Sequence, residues 1–277
     1  MRRLEYVSSK GVHVPLDGPL VSVGIAAEPR SRKWTYNVGN RDVRMIARPA
    51  RTAKMNITMP FAEADAMRKA FDADVYANTP GELVIDGEWR QRALILEQKV
   101  GKVFEGRIMA TVTAALLDGA WWRIESVPFV PDTGQDPGTY AYLDFEYDFG
   151  YDYGVPHRVL TVDTEATNPS PPLIIVYGPA TNPAIMAGGN LYEVDVTVPN
   201  GAHLIIDGKK KTITLVGVDG TEANAFADGL RGSGEGGGQY IFEPVPASEI
   251  NISWDNSFGF DFGWYQEETD PPWTNLY

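Results

Sequence analysis

The chain has no cysteine and only three histidines among its 277 residues. Without thiols there is no disulfide, no thiolate metal site and no cysteine nucleophile. His13, His157 and His203 stand in separate segments, so neither a zinc site nor a Ser-His-Asp triad finds its usual grouping. No apolar run approaches the roughly 20 residues that a membrane helix requires. The opening MRRLEYVSSK places two arginines before no apolar stretch, which gives no export or anchoring signal. The expectation is a chain made and folded in the cytoplasm, without a membrane partner. Cations are also scarce over most of the length: residues 108–277 carry six Lys and Arg against twenty-four Asp and Glu.

The remaining cations are concentrated at the start. Residues 1–60 hold eleven Lys and Arg against four acids, inside a chain whose net charge is −13. A basic segment suits nucleic acid, but the acidic remainder repels phosphate and the aromatic interleaving of a nucleic-acid reader is thin. A basic arm that packs on an acidic surface of a neighbouring subunit or partner is the simpler reading.

With 28 Gly, 20 Pro and many short Val, Ile, Thr, Tyr and Trp segments between turn residues, the composition predicts mainly β-structure in two domains. Strands are expected at Gly18–Val23 and Thr52–Met59, the latter with Met55, Ile57 and Met59 opposite Lys54, Asn56 and Thr58. Between them EPRSRKWTYNVGNRDVRMIARPAR reads as an extended basic hairpin or arm. PFAEADAMRKAFDAD is the one helix, with Phe61, Ala64, Met67 and Phe71 on its core face. Asp86-Gly87 turns a hairpin between strands at Leu83–Ile85 and Arg92–Leu96, and a long strand follows that ends in Trp121 and Trp122. After a second Pro-rich connector, six segments from LIIVYG to INISW, QYIFEPV among them, predict an antiparallel sandwich.

Between the connectors lies LDFEYDFGYDYGV, residues 143–155. Phe145, Tyr147, Phe149, Tyr151 and Tyr153 occupy alternate positions, with carboxylates and glycines between them, so an extended chain puts all five rings on one face. SFGFDFGWYQ, with Phe258, Phe260, Phe262 and Trp264, repeats the pattern. Both copies read as aromatic ribbons that dock on a sheet or on a neighbour.

The polar candidates carry little chemistry. Asp144, Glu146 and Asp148 share a strand face, where a solvated surface is the commoner outcome and calcium the leading ligand alternative. RGSGEGGGQY contains G-x-G-x-x-G without the strand-to-helix setting of a nucleotide cradle. No catalytic residue, cofactor or metal is predicted.

In order, KWTYNVGNRDVR, AFDAD, TPGELVIDG, VTAALLDGAWWR, DFEYDFGYDYG, IVYGPATNPAI, LYEVDVTVPNGAHLIIDGKKKTITLV and EINISW resemble the distal tail proteins of long non-contractile bacteriophage tails, the siphovirus-type tail component family. The resemblance implies a β-rich ring-forming domain with one short helix over 1–140, an aromatic and acidic connector over 141–172, and a galectin-like β-sandwich with a C-terminal tail over 173–277. It implies a hexameric ring in the virion that joins the tail tube protein to the tail tip and receptor-binding proteins, with DNA passing through unbound. Interface candidates are Arg30, Arg32, Trp34, Tyr36, Arg41 and Arg44 in the arm and Tyr147, Phe149 and Tyr151 in the ribbon. The alternative is a two-module carbohydrate-binding adhesion protein, with Trp254, Trp264 and Trp273 as candidate sugar platforms.

Overall fold

The computed structural model describes residues 4–23, 26–131 and 160–272. Among these residues the protein is mainly β with one α-helix, and it divides into two compact units, Met1–Arg123 with Glu267–Tyr277, and Ile124–Gln266. The ribbon at 143–155, with Tyr147, Phe149 and Tyr151, lies outside the described residues, as does the expected boundary at 140.

The first unit holds β1 (Leu4–Val7), β2 (His13–Pro15), β3 (Thr35–Val38), β4 (Val43–Ala47), β5 (Arg51–Pro60), α1 (Phe61–Ala77), β6 (Gly81–Ile85), β7 (Trp89–Phe104), β8 (Arg107–Leu116) and the start of β9 (Trp121–Phe129). Strands run β2-β1-β6-β7 on one side and β5-β8-β7 on the other, all antiparallel. β7 is shared because its first five residues pair with β6 and ten of its residues from Ala93 to Phe104 pair with β8, with register shifts at Leu96 and Gly101. Alternation in β5 buries Ala53, Met55, Ile57 and Met59 while Lys54 and Asn56 stay exposed, as period two requires. The turn between β6 and β7 has three residues, with Asp86 and Gly87 both at positive φ, a conformation that Asp and Gly tolerate, and the Glu88 N–H bonded to Ile85 O at 3.2 Å. Gly18–Val23 forms only a bridge, Ser22 to Thr58.

α1 closes the core of this unit. Ala64, Met67, Phe71 and Asp74 are buried, whereas Phe61, expected on the same face, is exposed in the first turn directly after Pro60. Asn78 ends the helix at φ 50°, with the Thr79 N–H bonded to Asp74 O at 3.0 Å, a left-handed C-terminal cap. The buried Asp74 carboxylate accepts bonds from the Tyr6 hydroxyl at 2.7 Å and from the Ser9 backbone and hydroxyl, so the helix end is fixed to β1. Burial first, and then this carboxylate, push the Tyr6 hydroxyl pKa up.

Trp121 and Trp122 begin β9 rather than ending β8. Asp118 and Gly119 interrupt the strand, with Gly119 at φ 67° and so close to the chain that a Cβ there would lie 2.6 Å from Arg48 O. Only glycine fits that turn without strain.

The second unit adds β10 (Leu160–Asp163), β11 (Pro172–Tyr177), β12 (Ala180–Thr181), β13 (Ala184–Ala187), β14 (Asn190–Glu193), β15 (Thr197–Val198), β16 (His203–Asp207), β17 (Thr212–Val216), β18 (Glu222–Asn224), β19 (Glu249–Ser253) and β20 (Gly259–Glu268). One sheet runs β18-β17-β16-β11-β20 and the other β10-β19-β13-β14. Their inner faces share one core, where Tyr192 of β14 meets Phe262 of β20 edge-on at 5.9 Å, so the unit is an antiparallel sandwich. β20 is the second aromatic repeat. Phe258, Phe260, Phe262 and Trp264 are buried in that core, so this copy packs inside its own unit. QYIFEPV is not a strand: the Asn190 side chain satisfies both the N–H and the C=O of Tyr240, at 3.0 and 2.9 Å, and holds the segment as a turn.

Candidate functional site: an exposed basic arm

The arm is fixed at its base and bare beyond it. Pro29 and Arg30 are buried, and Arg30 donates to Asp86 at 3.0 Å and to Pro272 O at 3.4 Å. Arg51 at the start of β5 donates to the carbonyls of Glu28 (2.9 Å), Pro29 (2.8 Å) and Ser31, tying the turn that leads out to the strand that follows the arm. Desolvation lowers the Arg51 pKa, against the pull of nearby Glu28. The carboxylate of Glu28 also accepts the Lys54 N–H at 2.6 Å.

From Ser31 to Ala47 every residue is exposed except the half-buried Gly39. β3 and β4 pair at Thr35–Ala47, Asn37–Arg44 and Val38–Val43, with a bulge between Thr35 and Asn37. The Gly39 N–H bonds to Asp42 O at 2.8 Å and closes the tip, where Arg44 reaches Asp42 at 2.7 Å. Tyr36, Val38, Val43, Met45 and Ile46 all face solvent, Val38 at 73% and Met45 at 78% exposure. A two-stranded hairpin without a covered face is marginal by itself, and contiguous apolar exposure of this kind marks an interaction surface. On the return, Arg48 sits 5.7 Å over the Trp34 ring and bonds Glu267 at 3.2 Å.

Of the six arm residues expected at an interface, Arg32, Trp34, Tyr36, Arg41 and Arg44 are therefore exposed, and Arg30 is the buried anchor that starts the arm. A second apolar strip, which sequence reasoning missed, lies on the far half of β7 and the start of β8: Leu96, Val100, Val103, Phe104 and Met109 are exposed. Its only signal was a strand that continues past the point where its pattern stops alternating.

Among the described residues no group of three or more His, Asp or Glu could hold a metal ion. The Asp144–Asp148 face lies outside them. Trp254 and Trp264 are buried in the sandwich core, the former donating to Phe258 O at 3.0 Å, so neither offers a ring to a sugar, and Trp273 lies outside the described residues.

A β-rich fold of this two-unit kind is found in proteins of phage baseplates and hubs. A chain of the phage P2 baseplate in its activated conformation with Ca superposes with a TM-score of 0.56 at 11% identity, over 98% of this chain and all of that one. The same baseplate with Sr gives 0.55 at 11% identity, over 98% and 100%. The SPP1 Dit (gp 19.1) protein, described as a paradigm of the hub adsorption apparatus in phages infecting Gram-positive hosts, gives 0.52 at 10% identity, over 97% and 99%. No family model and no curated protein matches the sequence. At such identities the likeness establishes the fold alone.

Proposed function

We propose that this protein is a structural component of a long non-contractile phage tail, a distal tail protein that forms a six-membered ring between the tail tube and the tail tip. The observation that carries the reading is the end-to-end correspondence of both units with single chains of baseplate and hub proteins, over 97–98% of this chain and 99–100% of theirs. The arm supports it: a basic, apolar hairpin on a chain whose last two thirds are acidic gives each copy both halves of a heterologous contact that closes into a ring. In this reading the first unit builds the ring, and the second, which takes in Leu160–Asp163 as an edge strand, is a galectin-like sandwich. The tail tube protein and the tip and receptor-binding proteins are its partners, and it acts in the virion without catalysis, cofactor or metal.

DNA passes through the lumen without specific binding. Six copies at −13 apiece carry −78, a charge that repels phosphate. Negative-stain imaging of the purified protein tests the proposal. Six-fold rings with an open centre are expected, and uniform single copies across a wide concentration range would contradict it.

A further inference from the structure

Where β9 and β11 end and β20 begins, the second unit carries an open cavity of about 400 Å³. That size lies within the roughly 300–1,000 Å³ of ligand pockets. Pro128, Phe129, Val130, Tyr177, Pro179 and Phe258 line it, and Asp261 is the one charged side chain in its lining. Phe129 and Phe258 belong to the sandwich core, while Tyr177 and Val130 stay exposed at 44% and 76%. The Tyr177 hydroxyl donates to Asp261 Oδ2 at 2.7 Å, and Oδ1 has no hydrogen-bond partner among the described residues. Such a pocket selects an apolar stem that ends in a positive charge. The stem packs on proline and aromatic surface, and the charge meets the carboxylate and the phenol ring.

The tip of the arm has that chemistry. Asn40, Arg41 and Asp42 are exposed between Val38 and Val43, which are cross-strand partners and so share one face. Asp42 is taken by Arg44 at 2.7 Å, whereas Arg41 makes no ion pair among the described residues. We infer that the arm's tip on one copy seats in this pocket on a second copy, with Arg41 against Asp261 and Tyr177 and the two valines against the proline surface. The inference rests on the ring reading and adds to it the place that receives the arm. Each copy then gives one tip and fills one pocket, a head-to-tail contact that lets a ring close.

The absence of native cysteine allows a clean test in the full-length protein. Asn40→Cys with Ser257→Cys, at the tip and in the pocket lining, is treated with a short bismaleimide in an equal mixture of isotopically heavy and light protein. It is expected to link roughly tenfold more than an Asn40→Cys with Ser233→Cys control, since a seated tip raises the effective concentration, and to give mixed-label links. Yields equal to the control would overturn the seat, and so would links within one label only, which place the tip in its own chain. Six-fold rings without these links would overturn the seat and spare the ring, whereas mixed-label links in particles without six-fold symmetry would do the reverse. A second readout needs no cysteine. Arg41→Gln and Asp261→Asn are each expected to raise the concentration for half-assembly roughly fivefold, and the double variant no further, because both remove one contact. Multiplied effects, about twenty-fivefold in the double variant, would overturn the pairing.

Discussion

The arm and β20 are both strands rich in large apolar side chains, and they meet opposite fates. In β20 the rings keep period two, so one face collects Phe258, Phe260, Phe262 and Trp264, and the other carries Gly259, Asp261 and Gly263. That face finds a complement inside its own unit, stacking Phe260 on Phe129 at 4.7 Å and setting Phe262 against Tyr192. The arm pairs Val38 with Val43 and Asn37 with Arg44, yet Tyr36, Val38, Val43, Met45 and Ile46 all stay exposed, because a hairpin of two strands has no second layer to close over them. Hydrophobic content alone therefore does not predict burial. Whether an apolar face meets a second layer in its own unit decides if it is buried within the chain or left as a surface for another molecule.

This contrast can be broken at either end. The largest effect is expected in β20: Phe262→Ala empties a fully buried site at the centre of the sandwich and costs about 3–5 kcal/mol, read as a shift of the denaturation midpoint. In the arm, Val38→Asp with Met45→Asp should leave stability within about 0.5 kcal/mol, as surface substitutions do, yet abolish ring assembly measured by size-exclusion chromatography with light scattering. Between these lies Gly119→Ala. The positive φ and the Arg48 carbonyl 2.6 Å from the new Cβ should cost roughly 1–3 kcal/mol and displace the arm's return, which chemical denaturation and hydrogen exchange at 46–49 report.

The first aromatic repeat sharpens the comparison. If it serves assembly, Tyr147→Ala or Phe149→Ala lowers ring yield while Asp148→Asn leaves it unchanged, and the reverse order would restore an acidic-site role. The smallest effect belongs to the exposed charges of α1. Arg68, 3.8 Å from Asp65 and 3.5 Å from Asp72, should change stability by less than about 0.5 kcal/mol on replacement by alanine, because solvent screens such pairs.

Much of the mainly β architecture was legible because it rests on local rules. The alternation of β5, the Asp-Gly turn before β7, the single helix and the arm as a hairpin all follow from periodicity and turn chemistry. What escaped depends on distant contacts. QYIFEPV has strand composition, but a side chain fifty residues away supplies its hydrogen bonds. The tryptophan pair starts a strand because Gly119 must turn where Arg48 passes. Nor does any pattern in 267–272 reveal that Arg30 and Arg48 receive it. At the arm, composition marked the surface, while the burial of Arg30 rests on Asp86 in a different hairpin.

The central claim is that the arm's exposed apolar residues are covered by another copy of the chain. Mass photometry of the wild-type protein beside the Val38→Asp, Met45→Asp variant tests it most directly. The account predicts six-copy particles for the wild type and single folded copies for the variant. Six-copy particles in both, or single copies in both, would contradict it.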